Sequence, residues 1–241
     1  MLGSAWVVIS KEALEKLEDI QHFFIRLVLR VPKGTPLPAL RSETGMMSMK
    51  IRIWKKKLMM VHHLKNLSDS DLAKQVWMEQ RRNDWPGLAK EVSLISKELE
   101  LEDVNETGLS KTVLRKLVNA ACLERNETDL KEDMVGKTKL IVLAKEDCKA
   151  KGYLSSKSMK DVRDIFRART EMTAGFRGNF HNMYRGGNVN CEGCGQVKDT
   201  QSHATECPAY ADLKEGLDFN SDGDLVAFFR RVMERRAEKE K

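Results

Sequence analysis

The segment Cys191–Cys207, "CEGCGQVKDTQSHATEC", decides how the rest of the chain is interpreted, and we call it the Cys/His knot. Its candidate ligands Cys191, Cys194, His203 and Cys207 follow the pattern C-x2-C-x8-H-x3-C. Three thiolates and one imidazole are a typical set for a closed, structural zinc site, which has no open position for catalysis. The last two ligands lie one helical turn apart and can share a helix face. The knot therefore predicts a structural Zn²⁺ ion.

Free cysteines scattered beside an exposed histidine are the alternative interpretation of the same residues. The chain contains five cysteines, three of them in the knot. An odd number in this distribution disfavours disulfides and favours a reducing intracellular compartment, nuclear or cytoplasmic. We interpret Cys122 and Cys148 as buried thiols on apolar helix faces. No secretory leader is expected, and the longest apolar runs are too short for a membrane partner.

Outside the knot, apolar residues recur at helical spacing and strand signals are rare. Charged residues make up 32% of the chain and aromatic residues 6%, which favours helices with solvated faces. We therefore expect a mostly α fold that ends in an amphipathic helix carrying Leu225, Phe228 and Met233. The predicted helices cover, approximately, residues 10–30, 47–67, 70–82, 88–99, 111–125, 130–151, 158–170 and the residues from 222 onwards.

The knot and its surroundings resemble the carboxy-terminal region of a non-LTR retrotransposon (LINE-like) reverse transcriptase. The "DTQ-H" centre at 199–203 and the following Pro208 carry the resemblance within the knot. Upstream, "FRARTEMTAGFRGNFHNMYRGG" at 166–187 resembles the family's "F-x-x-R-T" helix and "MY" turn. Near the start, a "P-x-x-T-P" turn at 32–36 and an "E-T-G" step at 43–45 resemble the segment after the polymerase palm.

This resemblance implies three parts. Residues 1–68 would form a thumb-like helical segment, 69–174 a helical connection, and 175–241 a zinc-binding C-terminal module with its terminal helix. The glycine-containing stretch from about 175 to 190 is the expected boundary before the module.

The resemblance also implies what the chain lacks as an enzyme. The family's polymerase centre is an aspartate pair in a "Y-x-D-D"-type turn that holds two metal ions. This chain contains no such pair, and "SDSD" at 68–71 and "SDGD" at 221–224 are interpreted as capping or loop acids. We therefore expect no polymerase activity. "VGKTK" at 135–139 is rejected as a phosphate-binding loop because Lys131 stands where that motif needs glycine.

A net charge of +6 is compatible with an anionic partner. Two groups of mostly basic residues are predicted to contact RNA or DNA, with solvated helix faces as the alternative interpretation. The first group is Lys50, Arg52, Lys55, Lys56 and Lys57. The second group approaches the knot and consists of Arg163, Arg167, Arg169, Arg177, His181, Tyr184 and Arg185.

The sequence thus predicts a nucleic-acid-binding fragment of the reverse-transcriptase lineage, with a structural zinc and no small-molecule substrate. Two alternatives stay open at this point. The first is a zinc-stabilised protein-interaction module that docks a partner through its terminal helix, Leu225–Met233. The second is an inert transposon remnant whose N-terminal helices expose apolar faces.

Overall fold

The computed structural model describes residues 9–134, 149–176 and 189–239. Within these ranges the chain is mostly α-helical, as predicted. The helices are α1 (Lys11–Leu29), α2 (Leu37–Thr44), α3 (Met49–Lys65), α4 (Leu72–Arg82), α5 (Leu88–Glu98), α6 (Lys111–Met134), α7 (Tyr153–Ser156), α8 (Met159–Arg169), α9 (Gln201–Glu206), a 3₁₀ helix (Pro208–Lys214) and α10 (Asp222–Lys239). None of these described helices is both long enough and apolar enough to span a bilayer.

The chain divides into two compact units. The first unit comprises residues 1–21 and 46–133, and the second comprises 22–45 and 134–241. Helix α1 therefore contributes residues to both units. These limits differ from the boundaries expected after residues 68 and 174. The three-part organisation stays a prediction, because compactness does not test which segments fold by themselves.

The core of the first unit is built from α3, α4, α5 and α6. Helix α3 packs against α4 and α5 because Ile51, Leu58 and Val61 recur on one face and are fully buried. Ser48 caps this helix, since its hydroxyl accepts a hydrogen bond from the Ile51 amide at 3.3 Å. Buried leucine, valine, isoleucine and tryptophan side chains from the other helices complete an apolar core.

The second unit contains a buried ionic network around Glu43, which is fully buried. The Glu43 carboxylate accepts hydrogen bonds from Arg169 Nε at 2.8 Å and from the Tyr153 hydroxyl at 2.7 Å. Arg169 also pairs with Asp222 at the start of α10, at 3.0 Å. Burial, and the neighbouring Glu43 after it, raise the pKa of Tyr153 far above its usual value. The "E-T-G" step and the "F-x-x-R-T" helix therefore meet through their charged residues.

Helix α1 ends at Leu29, before the prolines, as predicted, whereas α2 was not predicted. Helix α2 begins among the prolines at 36 and 38 because the first helical turn tolerates proline. One predicted helix boundary was wrong. The sequence "RNETD" was expected to separate two helices, whereas α6 runs through it to Met134. The reason is tertiary: Asn126 is buried, and its side-chain oxygen accepts the Ser48 amide at 3.1 Å.

Candidate metal centre

The first two candidate ligands lie on a tight turn between two extended segments. The segments are joined by an antiparallel bridge between Asn190 and Lys198 and by the Cys191 amide, which donates to the Val197 carbonyl at 2.7 Å. Gly195 closes the turn with a positive φ of 73°, a conformation that favours glycine. This turn directs the thiols of Cys191 and Cys194 towards one point.

Gly193 is required because the turn approaches the 3₁₀ helix closely. Its backbone is not in the left-handed region, but a Cβ atom there would lie 2.9 Å from the Cβ of Ala209 and from the ring of Tyr210. The glycine therefore permits close approach of the turn to the 3₁₀ helix, rather than an unusual backbone angle.

The other two ligands are positioned by α9, as their spacing predicted. Thr200 caps this helix through its hydroxyl, which accepts the His203 amide at 3.0 Å. His203 lies within the helix, and Cys207 is the first residue after it. One helical turn therefore carries the imidazole and the third thiol to the same side.

The four ligand atoms lie within 4.8 Å of one another. The sulfurs of Cys191 and Cys207 are 3.8 Å apart, and Cys194 Sγ is 3.3 Å from His203 Nε2. Two sulfurs bound to one tetrahedral zinc at about 2.3 Å are separated by about 3.8 Å. The donor set and its spacing therefore fit a tetrahedral metal ion, with zinc the plausible one.

The thiols differ in burial and in ionisation. Cys191 and Cys207 are buried, whereas Cys194 and His203 are half-exposed. Burial raises the pKa of Cys207 to about 11, whereas the Gln196 amide, followed by smaller contributions that include His203, lowers the pKa of Cys194 to about 6. A bound cation would favour the thiolate form of all three cysteines.

A buried ion pair supports the knot from α10. Arg236 Nη1 donates to the Asp199 carboxylate at 2.9 Å, and the same guanidinium donates to the Tyr210 hydroxyl at 3.0 Å. Both charged side chains are almost completely buried, and the guanidinium lies 4.7 Å from the centre of the Phe176 ring. Sequence reasoning missed this pair, because no local pattern links two residues 37 positions apart.

The "DTQ" residues of the knot thus have separate structural roles. Asp199 holds Arg236, and Thr200 caps α9. Gln201 is buried and connects the knot to the end of α8, since its amide nitrogen donates to the Ala168 carbonyl at 3.1 Å. Its side-chain oxygen accepts the Thr173 amide at 2.7 Å.

The first basic group is only partly available to a ligand. Arg52 and Lys56 are exposed four residues apart on α3, whereas Lys55 is half-buried. Lys50 pairs with Glu98 at 3.3 Å and lies over the Trp54 ring.

Lys57 belongs to the interior of the first unit. Its side chain is 6% exposed and forms an ion pair with Glu91. We therefore remove it from the predicted contact surface. The helical period could have indicated this, because Lys57 lies three residues after Trp54 and four before Val61, on the apolar face.

The second basic group divides in a similar way. Arg163 Nε donates to the Val28 carbonyl at 2.9 Å, and Arg167 Nη2 donates to the Arg30 carbonyl at 2.7 Å. These bonds hold the half-buried Arg163 and Arg167 at the end of α1, where Arg30 is exposed. Arg30 was not predicted, since it is distant in sequence from the others. Arg169 belongs to the Glu43 network, and we remove it from the contact surface; Arg177, His181, Tyr184 and Arg185 lie outside the described residues.

Comparisons of this chain with protein-family models, with curated proteins and with solved structures give no match. The resemblance to the reverse-transcriptase family therefore stays an expectation from the sequence.

Proposed function

We propose that this protein binds RNA or DNA through the second unit, as a zinc-stabilised module of the non-LTR reverse-transcriptase lineage without polymerase activity of its own. One observation carries the proposal: Arg163 and Arg167 both bind backbone carbonyls at the end of α1, where Arg30 is exposed. Three arginines at one helix end are suited to phosphate groups, which guanidinium binds with paired N–H donors.

The hydrogen bonds to carbonyls hold these arginines in place without using all of their N–H donors. A guanidinium has five N–H donors, so one bond to a carbonyl leaves capacity for a phosphate. The carbonyls at the C-terminal end of a helix carry partial negative charge, which stabilises cations there. Arg163 and Arg167 are therefore pre-positioned, and their binding to an anion costs less side-chain entropy than that of free lysines.

Zinc supports this surface indirectly in the proposal. The knot is too short to bury a core that would fold it without a metal. Gln201, which lies inside the knot, binds the carbonyl of Ala168 at the end of the helix that carries Arg163 and Arg167. Ordering the knot therefore helps to fix the end of α8.

The experiment is a salt titration of binding to single-stranded and structured RNA, with the zinc content of the protein quantified. We expect the variant Arg163→Gln/Arg167→Gln to bind more weakly and to reduce the slope of log K against log salt by roughly two, about one for each lost phosphate contact. The matched control is Arg82→Gln/Arg115→Gln, which removes two exposed arginines from the first unit.

Equal slopes of log K against log salt for the two double variants would contradict the proposal. Binding whose affinity does not change with salt concentration would also contradict it. Cys194→Ser provides a separate test of the role of zinc, because its loss of metal should weaken binding while every arginine remains. If zinc-free protein binds nucleic acid with full affinity, the metal has no role in the binding.

Docking through the terminal helix has less support. Phe228, Phe229 and Val232 of α10 are buried in the core of the second unit. A protein partner would therefore need another apolar surface.

A further inference from the structure

Helix α1 exposes a continuous apolar face. Its residues follow the spacing i, i+3, i+4, i+7 and i+8, which places them along one stripe. Between 51% and 61% of each side chain is exposed, far more than is usual for five bulky apolar residues on one helix. We call this set the α1 face; it consists of Ile20, Phe23, Phe24, Leu27 and Val28.

The charged residues of α1 and of the turn after it change sign along the chain. The segment 11–19 contains four acidic and two basic residues, whereas the segment 26–33 contains three basic residues and no acid. The acidic residues are Glu12, Glu15, Glu18 and Asp19, and the later basic residues are Arg26, Arg30 and Lys33. The first half of the helix therefore has a net negative charge although Lys16 pairs with Glu12, its end is positive, and Asp19 and Arg30 flank the α1 face on the same side.

We propose that the α1 face is a homodimer interface, in which it packs against the α1 face of a second copy in antiparallel orientation. An antiparallel pair brings the anionic end of each helix to the cationic end of the other, whereas a parallel pair would bring like charges together. The same surface serves both copies, as a two-fold interface requires. Pairing would also remove the exposed aromatic and aliphatic side chains from water.

The position of the α1 face on the helix sets the register. Phe24 lies at its centre, so a two-fold axis there packs the two Phe24 side chains together and sets Ile20 opposite Val28 of the second copy. The same register brings Asp19 close to Arg30 of the second copy. Both residues are exposed and available for this contact.

Arg30 belongs both to this interface and to the proposed phosphate-binding surface, but the apolar stripe and Asp19 do not, and the dimer is measured without nucleic acid, so the two proposals can fail separately. Its test is the oligomeric state of the full-length protein, measured by sedimentation across a range of concentrations without RNA.

We expect a concentration-dependent dimer. Leu27→Lys should raise its dissociation constant by at least roughly tenfold, because two charges enter the apolar contact. Leu72→Lys is the matched control, since Leu72 is 73% exposed on α4 and lies outside the α1 face. Circular dichroism of each variant establishes that its helices are retained.

A charge exchange tests the orientation. Asp19→Lys and Arg30→Glu should each weaken the dimer by about two- to thirtyfold, and the double variant should recover most of the loss. Weakening by both single variants without recovery would overturn the antiparallel pairing.

A monomer at all concentrations would overturn the dimer itself. Vesicles of anionic and of neutral lipid are added to the same samples. If Leu27→Lys abolishes vesicle binding by a monomeric protein, the α1 face is a lipid-binding surface and the proposal is wrong.

Discussion

The first unit and the knot with α10 are both helical, but they are held together by different interactions. In the first unit the core consists of aliphatic and tryptophan side chains from α3 to α6. In the second unit the core that includes the knot contains two candidate metal ligands, Cys191 and Cys207, beside Phe176 and Phe228. A buried arginine–aspartate pair adjoins that core.

The difference shows how a small module compensates for a short chain. Four helices bury enough apolar surface to be stable, whereas a turn, one helix of six residues and a 3₁₀ helix do not. The buried ion pair supplies specific interactions in place of buried apolar area, and a metal ion bound by the four ligands would do the same. The stability of the module then depends on a few individual interactions, so loss of one of them should affect the knot with α10 more than the first unit.

Metal removal should produce the largest difference. Zinc binding to small structural sites contributes about 10–16 kcal/mol at neutral pH, so a strong chelator should unfold the knot and release α10. The tryptophans among the described residues, Trp54, Trp77 and Trp85, belong to the first unit. We expect circular dichroism to report helix loss while tryptophan fluorescence stays nearly constant.

Cysteine variants provide the control for metal removal. Cys191→Ala should abolish stoichiometric zinc binding, whereas Cys122→Ala, at an equally buried thiol in the first unit, should retain it. A simultaneous change in tryptophan fluorescence on chelation would show that the two regions unfold together.

The buried ion pair should have the next largest effect. Arg236→Met leaves the Asp199 carboxylate buried without its partner, which costs about 3–5 kcal/mol. The adjacent Arg235 is the matched control, because it pairs with the exposed Asp212 and solvent screens that pair, so Arg235→Met should cost much less than Arg236→Met. Urea unfolding of zinc-loaded protein, followed by circular dichroism, measures both. Similar losses for the two variants would mean that burial of the pair is not decisive.

A cavity in the core of the first unit should destabilise that unit and leave the knot unaffected. Leu58 is fully buried on α3, so Leu58→Ala should destabilise the first unit by about 2–5 kcal/mol. Tryptophan fluorescence in urea measures that loss, and competition with a zinc indicator should show unchanged zinc affinity. Weaker zinc binding in this variant would be evidence against separate stabilisation.

Alkaline pH should lower the stability of the second unit more than that of the first, and this effect should be smaller than those of the variants above. The tyrosines among the described residues, Tyr153 and Tyr210, belong to the second unit, and burial raises the pKa of both. The unfolded chain ionises tyrosine near pH 10 whereas the folded unit retains the protons, so its stability falls as pH rises above about 10. Each such tyrosine contributes up to about 1.4 kcal/mol per pH unit. Unfolding at several pH values, with Tyr153→Phe as the comparison, should show a shallower decline in the variant.

The fold class and the ligand set could be predicted because both depend on the spacing of residues that are close in sequence. Helical periodicity identified α3, and the pattern of Cys191, Cys194, His203 and Cys207 identified four side chains that do converge. Capping residues such as Ser48 act within three positions, so the sequence also indicated where some helices begin.

The remaining features depend on contacts between distant segments. The amide of Ser48 meets Asn126 and keeps α6 continuous through a sequence that resembles a turn. The pairing of Arg236 with Asp199 has no local pattern. The hydrogen bond of Arg163 to the Val28 carbonyl likewise depends on how α8 meets the end of α1 within the second unit.

The unequal burial of the four ligands has a kinetic consequence. Cys194 and His203 are only half-buried, whereas Cys191 and Cys207 are buried members of the core. A competing chelator could therefore replace the two outer ligands quickly, but it must wait for the core to open before it displaces the inner pair. Metal exchange at this centre would then proceed in two phases, and the slow phase would measure the opening rate of the surrounding protein.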